Sequence, residues 1–386
     1  MSDVLEGRRR AWNEAMCAHH AWPEDAPWVR AAFDATPRHA FAPDRIWDWD
    51  GEAYVPVDRA TTPDRWAELV YAGPRDATVT EITDGIPTSS LSCPSVVATM
   101  LDSLDAEPGH RILELGTGTG WNAALLAHRV GPHGRVTSVE ASPDLARAAI
   151  RNLAQARRGV DVAIGNGTHG HPTTAPHDRV IATYAVEHVP WAWIEQLRPG
   201  GDLVFPLGRM GHFAATVADD HRSARGWMHG LAQFMSDRST PIPAATVHSY
   251  TQVRNGRAPD HIRPVDRDIT PLRTDANLMW ALRMALPDVV YTTDTDQDGV
   301  NAWIHDGVAS WAVVTTLPDG GARTEQGGPR HLFDAFETAW DAWIAHGSVS
   351  RWDHGITLTE HEQYVWEGDP DTGRRHHLPT PAPAPA

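Results

Sequence analysis

The sequence predicts an α/β protein: a doubly wound parallel sheet, followed by a smaller C-terminal α+β domain. Three observations carry this. The run LELGTGTGWNAALLA at 113–127 passes from a short buried strand through a glycine loop into a helix. From residue 76 to about 240, strand and helix patterns alternate, which places parallel strands with helices on their faces. Beyond 240 the alternation stops, and strand-like runs precede one long amphipathic helix.

The elements follow in order. Residues 1–75 read as a helical region with loops, and WVRAAFDATPRHAF (28–41) has apolar residues at helical spacing before Pro37. ILEL (112–115) is a buried strand and NAALLAHRV (122–130) its helix. GPHG (131–134) turns the chain into the strand RVTSVE (135–140). SPDLARAAIRNLAQA (142–156) opens with a capping serine and a proline at the first helical position. VDVAIGNG (160–167), DRVIATYA (178–185) and GDLVFPLG (201–208) supply further strands, closing a domain over 76–240. STPIPAATVHSY (239–250) reads as a linker into a C-terminal extension over 241–372. There, strands are expected near 289–293, 300–305, 309–316 and 355–366. RHLFDAFETAWDAWIAHG (330–347) is a helix with Leu332, Phe333, Phe336, Trp340, Trp343 and Ile344 on one face. The tail over 373–386 is low in complexity and is expected to be disordered. DTDQDG (294–299) imitates the start of a calcium loop. Its twelfth position is His305 rather than glutamate, so a hairpin turn is expected, and Asn255-Gly256 likewise reads as a turn.

Composition narrows the function classes. The chain has 386 residues, 41% of them hydrophobic, enough for roughly two domains with a sizeable core. The net charge of −17 argues against nucleic acid as a partner, since phosphate binding needs a basic face. Every basic residue is arginine; lysine is absent. No apolar run reaches membrane-spanning length, and MSDVLEGRRRAW lacks the apolar core of a secretory signal. With only Cys17 and Cys93, no disulfide framework is expected, and the reading is a cytoplasmic protein. No metal site is expected: the histidine pairs 19–20, 169/171 and 376–377 lack matching partners. Tryptophans are common in cores and in peptide-binding surfaces, and most of the 17 are assigned by default to cores.

The glycine loop carries the chemistry. Gly116, Gly118 and Gly120 alternate with Thr117 and Thr119, letting backbone approach a ligand where side chains would block it. A dinucleotide fingerprint needs its third glycine at the position of Trp121. The spacing found, with Glu114 ahead of it, instead suits the nucleoside and methionine parts of S-adenosylmethionine. Glu140 ends the next strand, where a carboxylate accepts hydrogen bonds from ribose hydroxyls. The loop, Glu140, Asn166 and the segment after Ala182 all fall at the carboxyl ends of strands, where such sheets bind ligands.

Four segments resemble the protein-L-isoaspartate O-methyltransferase family. WVRAAFDATPRHAF is similar to its N-terminal helix with a Pro-Arg pair. SLSCPSVVATML (90–101) is similar to its Thr-Ile-Ser-x-Pro signature. The glycine loop with GRVTSVE is the third segment, and APHDRVIATYAVEHVPWAWIEQLRPGGDLVFPLG (175–208) the fourth. AQFMSDR (232–238) is a fainter match to the Phe-Met-x-x-Arg that closes the family domain. The resemblance covers about residues 28–240. It implies a Rossmann-like class I methyltransferase fold, S-adenosyl-L-methionine as methyl donor, and a peptide or protein partner bearing aspartyl or isoaspartyl residues. It carries the cofactor role to Glu114, Gly116, Thr117, Gly118, Gly120, Glu140, Asn166 and Gly167. Substrate binding falls on Ser90, Leu91, Ser92, Thr183 and Tyr184, with Ser92 the signature serine and the catalytic candidate.

The chemistry agrees with the resemblance. A carboxylate, with a pKa near ~4, is already the nucleophile at neutral pH. It needs desolvation, hydroxyl or N–H donors and in-line approach, not a base. Ser92 can equally be read as the N-cap of the helix that Pro94 begins. The chain departs from the family at Gly165-Asn166-Gly167, where the family has Gly-Asp-Gly, and at Thr183-Tyr184-Ala185, where it has Thr-Ala-Ala. Residues 42–87 and the region after 240 are longer than the family's equivalents. The added domain suggests a dedicated substrate, as in methyltransferases of ribosomally made peptides whose aspartyl esters close to a succinimide (aspartimide). Housekeeping isoaspartate repair, a non-catalytic cofactor-binding adaptor and a small-molecule O-methyltransferase are the alternatives. The last would need a base beside the substrate segment, where no histidine or lysine falls. The oligomeric state is not fixed by the sequence.

Overall fold

A computed structural model describes residues 2–208, 211–237 and 248–378. The chain forms two compact units: residues 1–239, 355–366 and 377–386, and residues 240–354 and 367–376.

The first unit opens with helices α1 (Ser2–Ala18) and α2 (Pro27–Ala35), then strands β1 (Arg45–Trp49) and β2 (Tyr54–Asp58), helix α3 (Pro63–Val70) and strands β3 (Thr78–Thr83) and β4 (Ile86–Leu91). The strands make a four-stranded antiparallel sheet in the order β2-β1-β3-β4. Residues 1–75 are therefore not helix and loop alone. RIWDW and YVPVD are short, half-buried hairpin strands whose cross-strand pairing outweighs their weak local signal. Helix α4 (Pro94–Leu104) follows directly on β4.

The large sheet begins with β5 (Arg111–Leu115), α5 (Trp121–Val130), β6 (Arg135–Glu140), α6 (Pro143–Gln155), β7 (Asp161–Ile164), β8 (His177–Ala182), α7 (Trp191–Glu195) and β9 (Leu197–Leu207). Strands β9-β8-β5-β6-β7 lie side by side and parallel. The order reverses at β5, which makes the doubly wound arrangement and its switch point. Antiparallel strands β10 (Gly211–Val217) and β11 (Ala224–Leu231) extend it, so the sheet is mixed. Near-continuous apolar runs such as Leu113, Leu115, Val180 and Ile181, all fully buried, are what strands covered on both faces require. Ser142 caps α6, its hydroxyl accepting from the Leu145 N–H.

In the second unit, β12 (His261–Val265), β13 (Val290–Thr295), β14 (Val300–His305), β15 (Trp311–Thr316) and β16 (Ala322–Gly327) form an antiparallel sheet in the order β12-β16-β15-β14-β13. Helices Ala276–Ala285 and Leu332–Ala345 share its core. Leu332, Phe333, Phe336 and Trp340 are buried as expected, and Trp343 packs at the margin. Ile344, expected on the same face, is 52% exposed because it lies past the last core-facing turn. The 294–299 segment is the expected hairpin turn: Asp296 Oδ1 accepts from the N–H groups of Asp298 and Gly299.

Strands β17 (His354–Leu358) and β18 (Gln363–Glu367) form where short strands were expected, and β17 pairs with β11 in the large sheet. Residues 239–247 of the expected linker (239–250) and 379–386 of the tail lie outside the described residues; within the tail expected to be disordered, Arg375–His377 form a short strand.

Candidate active site

In the first unit a cavity of about 560 Å³ opens at the carboxyl ends of β5, β6, β7 and β8. The glycine loop forms one wall. Gly116, Gly118 and Gly120 have φ of +96°, +53° and +86°, left-handed conformations that favour glycine. A Cβ on Gly116 would lie 2.5 Å from Thr183 Oγ1. One on Gly120 would press on Ala149 and Leu153 of α6, at 3.3 and 3.2 Å. Gly120 thus serves helix packing and does not line the cavity, whereas Gly116, Thr117 and Gly118 do.

Glu140 lines the cavity at the end of β6 and is almost wholly buried. Its Oε2 accepts from the Gly118 N–H (2.8 Å) and its Oε1 from the Ser142 N–H (3.0 Å). The carboxylate is thereby fixed against the loop, and each oxygen keeps acceptor capacity. Glu114 stands elsewhere. It is fully buried behind the loop, outside the cavity wall. Its carboxylate accepts from Asn122 Nδ2 (2.8 Å) and from the Ser138 hydroxyl. That leaves Thr117 to donate to Ser138, across 2.6 Å. Burial pushes the Glu114 pKa up to about 7, against the opposing pull of the Ser138 and Asn122 bonds. Glu114 therefore braces the loop from beneath.

Asn166 and Gly167 close the far wall. Asn166 Oδ1 accepts from the backbone N–H and the hydroxyl of Thr168, both at 2.9 Å, capping the short turn Gly167–His169. Tyr184 runs along this wall. Its ring would meet a Cβ on Gly116 at 3.0 Å, and its hydroxyl would meet one on Gly167 at 2.4 Å. The phenol oxygen is buried with no hydrogen-bond partner among the described residues, and burial raises its pKa. Thr183 also lines the cavity, and its hydroxyl donates to the Gly116 carbonyl (2.5 Å), with the Leu115 carbonyl 3.1 Å away.

The opposite wall is the end of β4. Ser90, Leu91 and Ser92 all line the cavity, and the hydroxyls of Ser90 and Ser92 have no hydrogen bond among the described residues. Ser92 does not cap α4. The Cys93 carbonyl accepts the first helical N–H, from Val97, so the cap falls one residue later. Sequence reasoning missed Ser89, buried on the same wall with its hydroxyl accepting from Thr80 Oγ1 at 3.0 Å. It also gave no role to the strip 233–237, which lines the cavity beside Ala185. The Ala185 N–H donates to the Met235 carbonyl (2.8 Å), and the Asp237 N–H to the Ala185 carbonyl (2.9 Å). The Phe-Met-x-x-Arg match was the signal for this strip; its Arg238 lies outside the described residues.

Among the described residues no cluster suited to a metal ion occurs, and no helix is long and apolar enough to cross a membrane. The glycine cradle, the fixed carboxylate of Glu140 and the Asn166 turn fit a nucleoside-bearing cofactor at a switch point. Fold and site together define a class I S-adenosylmethionine-dependent methyltransferase.

Residues 25–230 match the model of the family described as "Protein-L-isoaspartate(D-aspartate) O-methyltransferase (PCMT)". The chain is 37% identical to a protein-L-isoaspartate O-methyltransferase of Methanopyrus kandleri over 186 residues, 47% of this chain and 69% of that one. It is 40% identical to protein-L-isoaspartate O-methyltransferase 1 of Archaeoglobus fulgidus, over 38% of this chain and 68% of that one. A solved structure of a protein-L-isoaspartate O-methyltransferase, 20% identical, shares the fold at a TM-score of 0.50 over 94% of this chain and 98% of that one. The chain belongs to the protein-L-isoaspartate O-methyltransferase family.

Proposed function

We propose that the protein methylates a carboxylate of an aspartyl or isoaspartyl residue in a peptide or protein. One observation carries this reading: the wall facing the glycine loop offers the hydroxyls of Ser90 and Ser92 and, among the described residues, no basic side chain. When bound, the cofactor supplies an electrophilic methyl group on a sulfonium. Hydroxyl donors orient a carboxylate while leaving its second oxygen nucleophilic, and no base is needed for an acceptor already ionised. A phenol or alcohol acceptor would need one. In the ester product the carbonyl is open to the following backbone nitrogen, which displaces methanol and closes a succinimide.

The finer reading is a modifier dedicated to one ribosomally made peptide. The second unit, a domain with its own core, supports it as the place where a particular substrate would be selected. Housekeeping isoaspartate repair is the second reading. It is favoured by the solved isoaspartate methyltransferase that aligns over 94% of this chain, second unit included. Turnover on a panel of unrelated isoaspartyl peptides separates the two. Comparable kcat/KM across the panel supports repair. Silence across the panel, with esterification of one aspartyl peptide, supports dedicated modification. Absence of a carboxyl ester on any substrate rejects both and leaves the adaptor. Ser92→Ala is expected to lower kcat/KM ~10-fold, the cost of one hydrogen bond to a charged group, with cofactor affinity unchanged.

A further inference from the structure

Arg38 is a fully enclosed cation with an unusual set of partners. It is 2% exposed and forms no ion pair among the described residues. Its Nη1 donates to the Ser92 carbonyl (2.7 Å) and its Nη2 to the Leu91 carbonyl (2.8 Å) and Thr78 Oγ1 (3.3 Å). Its Nε donates to the Val70 carbonyl (3.0 Å). The guanidinium lies 4.8 Å from the ring centre of Trp121, the first residue of α5, immediately after the glycine loop. Trp121 is itself tied by its Nε1–H to the Thr36 carbonyl (3.0 Å). One planar group thus fastens the last residues of the acceptor wall to the helix that carries the cofactor loop. Burying an unpaired cation is costly, and the hydrogen bonds to Val70, Thr78, Leu91 and Ser92 offset that cost. What only arginine supplies is a rigid fork reaching several carbonyls at once while stacking on an aromatic face.

We propose that Arg38 is a positioning residue for methyl transfer, setting the distance and orientation of Ser90–Ser92 relative to the glycine loop. The proposal rests on the reading that Ser90–Ser92 receives the acceptor carboxylate. Arg38 touches neither substrate nor cofactor; it acts through the carbonyls of Leu91 and Ser92. In-line transfer is steep in geometry, and a displacement of about 1 Å can cost ~10²-fold in rate.

The test compares Arg38→Lys and Arg38→Gln with the wild-type chain, measuring kcat and KM on an acceptor peptide, S-adenosylhomocysteine affinity, and thermal midpoint. Below the midpoint of each variant, kcat is expected to fall ~100-fold for Gln and ~10-fold for Lys, whose ammonium restores part of the carbonyl contact. S-adenosylhomocysteine affinity should change less than about threefold, since the cavity residues are kept. The proposal is overturned by an unchanged kcat in either folded variant, by cofactor affinity falling as far as kcat, or by failure of both variants to fold. Wild-type protein that esterifies no carboxylate peptide would instead count against the functional reading of the site.

Discussion

Tyr184 holds a buried phenol that has no hydrogen-bond partner among the described residues and sits where the family pattern has alanine. A buried unsatisfied hydroxyl costs ~1–3 kcal/mol. Tyr184→Phe keeps the ring between Gly116 and Gly167 and should raise unfolding free energy by about 1 kcal/mol in denaturant titration. A loss of stability would show that the hydroxyl has a partner. Glu114 gives a pH signature. Burial lifts its folded pKa to about 7, above the ordinary 4.5, so its favourable contribution is complete below pH 4.5 and lost as the pH rises through 7. Subtracting Glu114→Gln stability from that of the wild type at each pH should leave a difference falling over that window, on the order of 1–3 kcal/mol. A flat difference would mean the carboxyl titrates normally. Glu114 also marks a limit of sequence reading. Its motif position pointed to a ligand contact, but the β5 pleat turns it away from the cavity, onto Ser138 and Asn122.

At the scale of elements, the loop and its neighbours were legible because their signals are local. Glycine spacing, a capped helix and buried strands can each be read within about ten residues. The β1–β2 hairpin was not, because its strands are short and half-buried and are fixed by pairing with β3. The strip 233–237 is an extended segment whose place depends on Ala185, far away in sequence. Gly116→Ala tests the loop directly. With φ at +96° and Thr183 Oγ1 at 2.5 Å, the methyl must displace the Thr183 hydroxyl, and S-adenosylhomocysteine affinity should drop at least ~10-fold in titration calorimetry. Unchanged affinity would mean the loop relaxes without cost. β18 makes an equally specific contact: Gln363 accepts from the Val189 N–H (2.9 Å) and donates to the Val189 carbonyl (2.7 Å), all buried. Gln363→Leu strands both groups and should destabilise the first unit by about 2–4 kcal/mol, read from the denaturation midpoint.

For the molecule as a whole, chain order and spatial order differ. Residues 355–366 belong with the first unit although the second unit precedes them in sequence. Composition changes after residue 240 but carries no sign of this return, which long-range pairing of β17 with β11 creates. A chain ended after Asp237 would lack β17, β18 and the Gln363 bonds. It should bind S-adenosylhomocysteine more weakly and unfold at a lower temperature than the full chain; equal behaviour would show that the returning strands are dispensable. On the proposed reading, this cavity directs a methyl group onto a carboxylate. The most direct measurement is transfer from methyl-labelled S-adenosylmethionine to aspartyl and isoaspartyl peptides, with the methylated atom located by mass spectrometry and base lability. The expected result is an enzyme-dependent, base-labile carboxyl ester that is sharply reduced by Ser92→Ala. A base-stable methyl on nitrogen or a phenol, or cofactor binding with no transfer to any carboxylate, would contradict it.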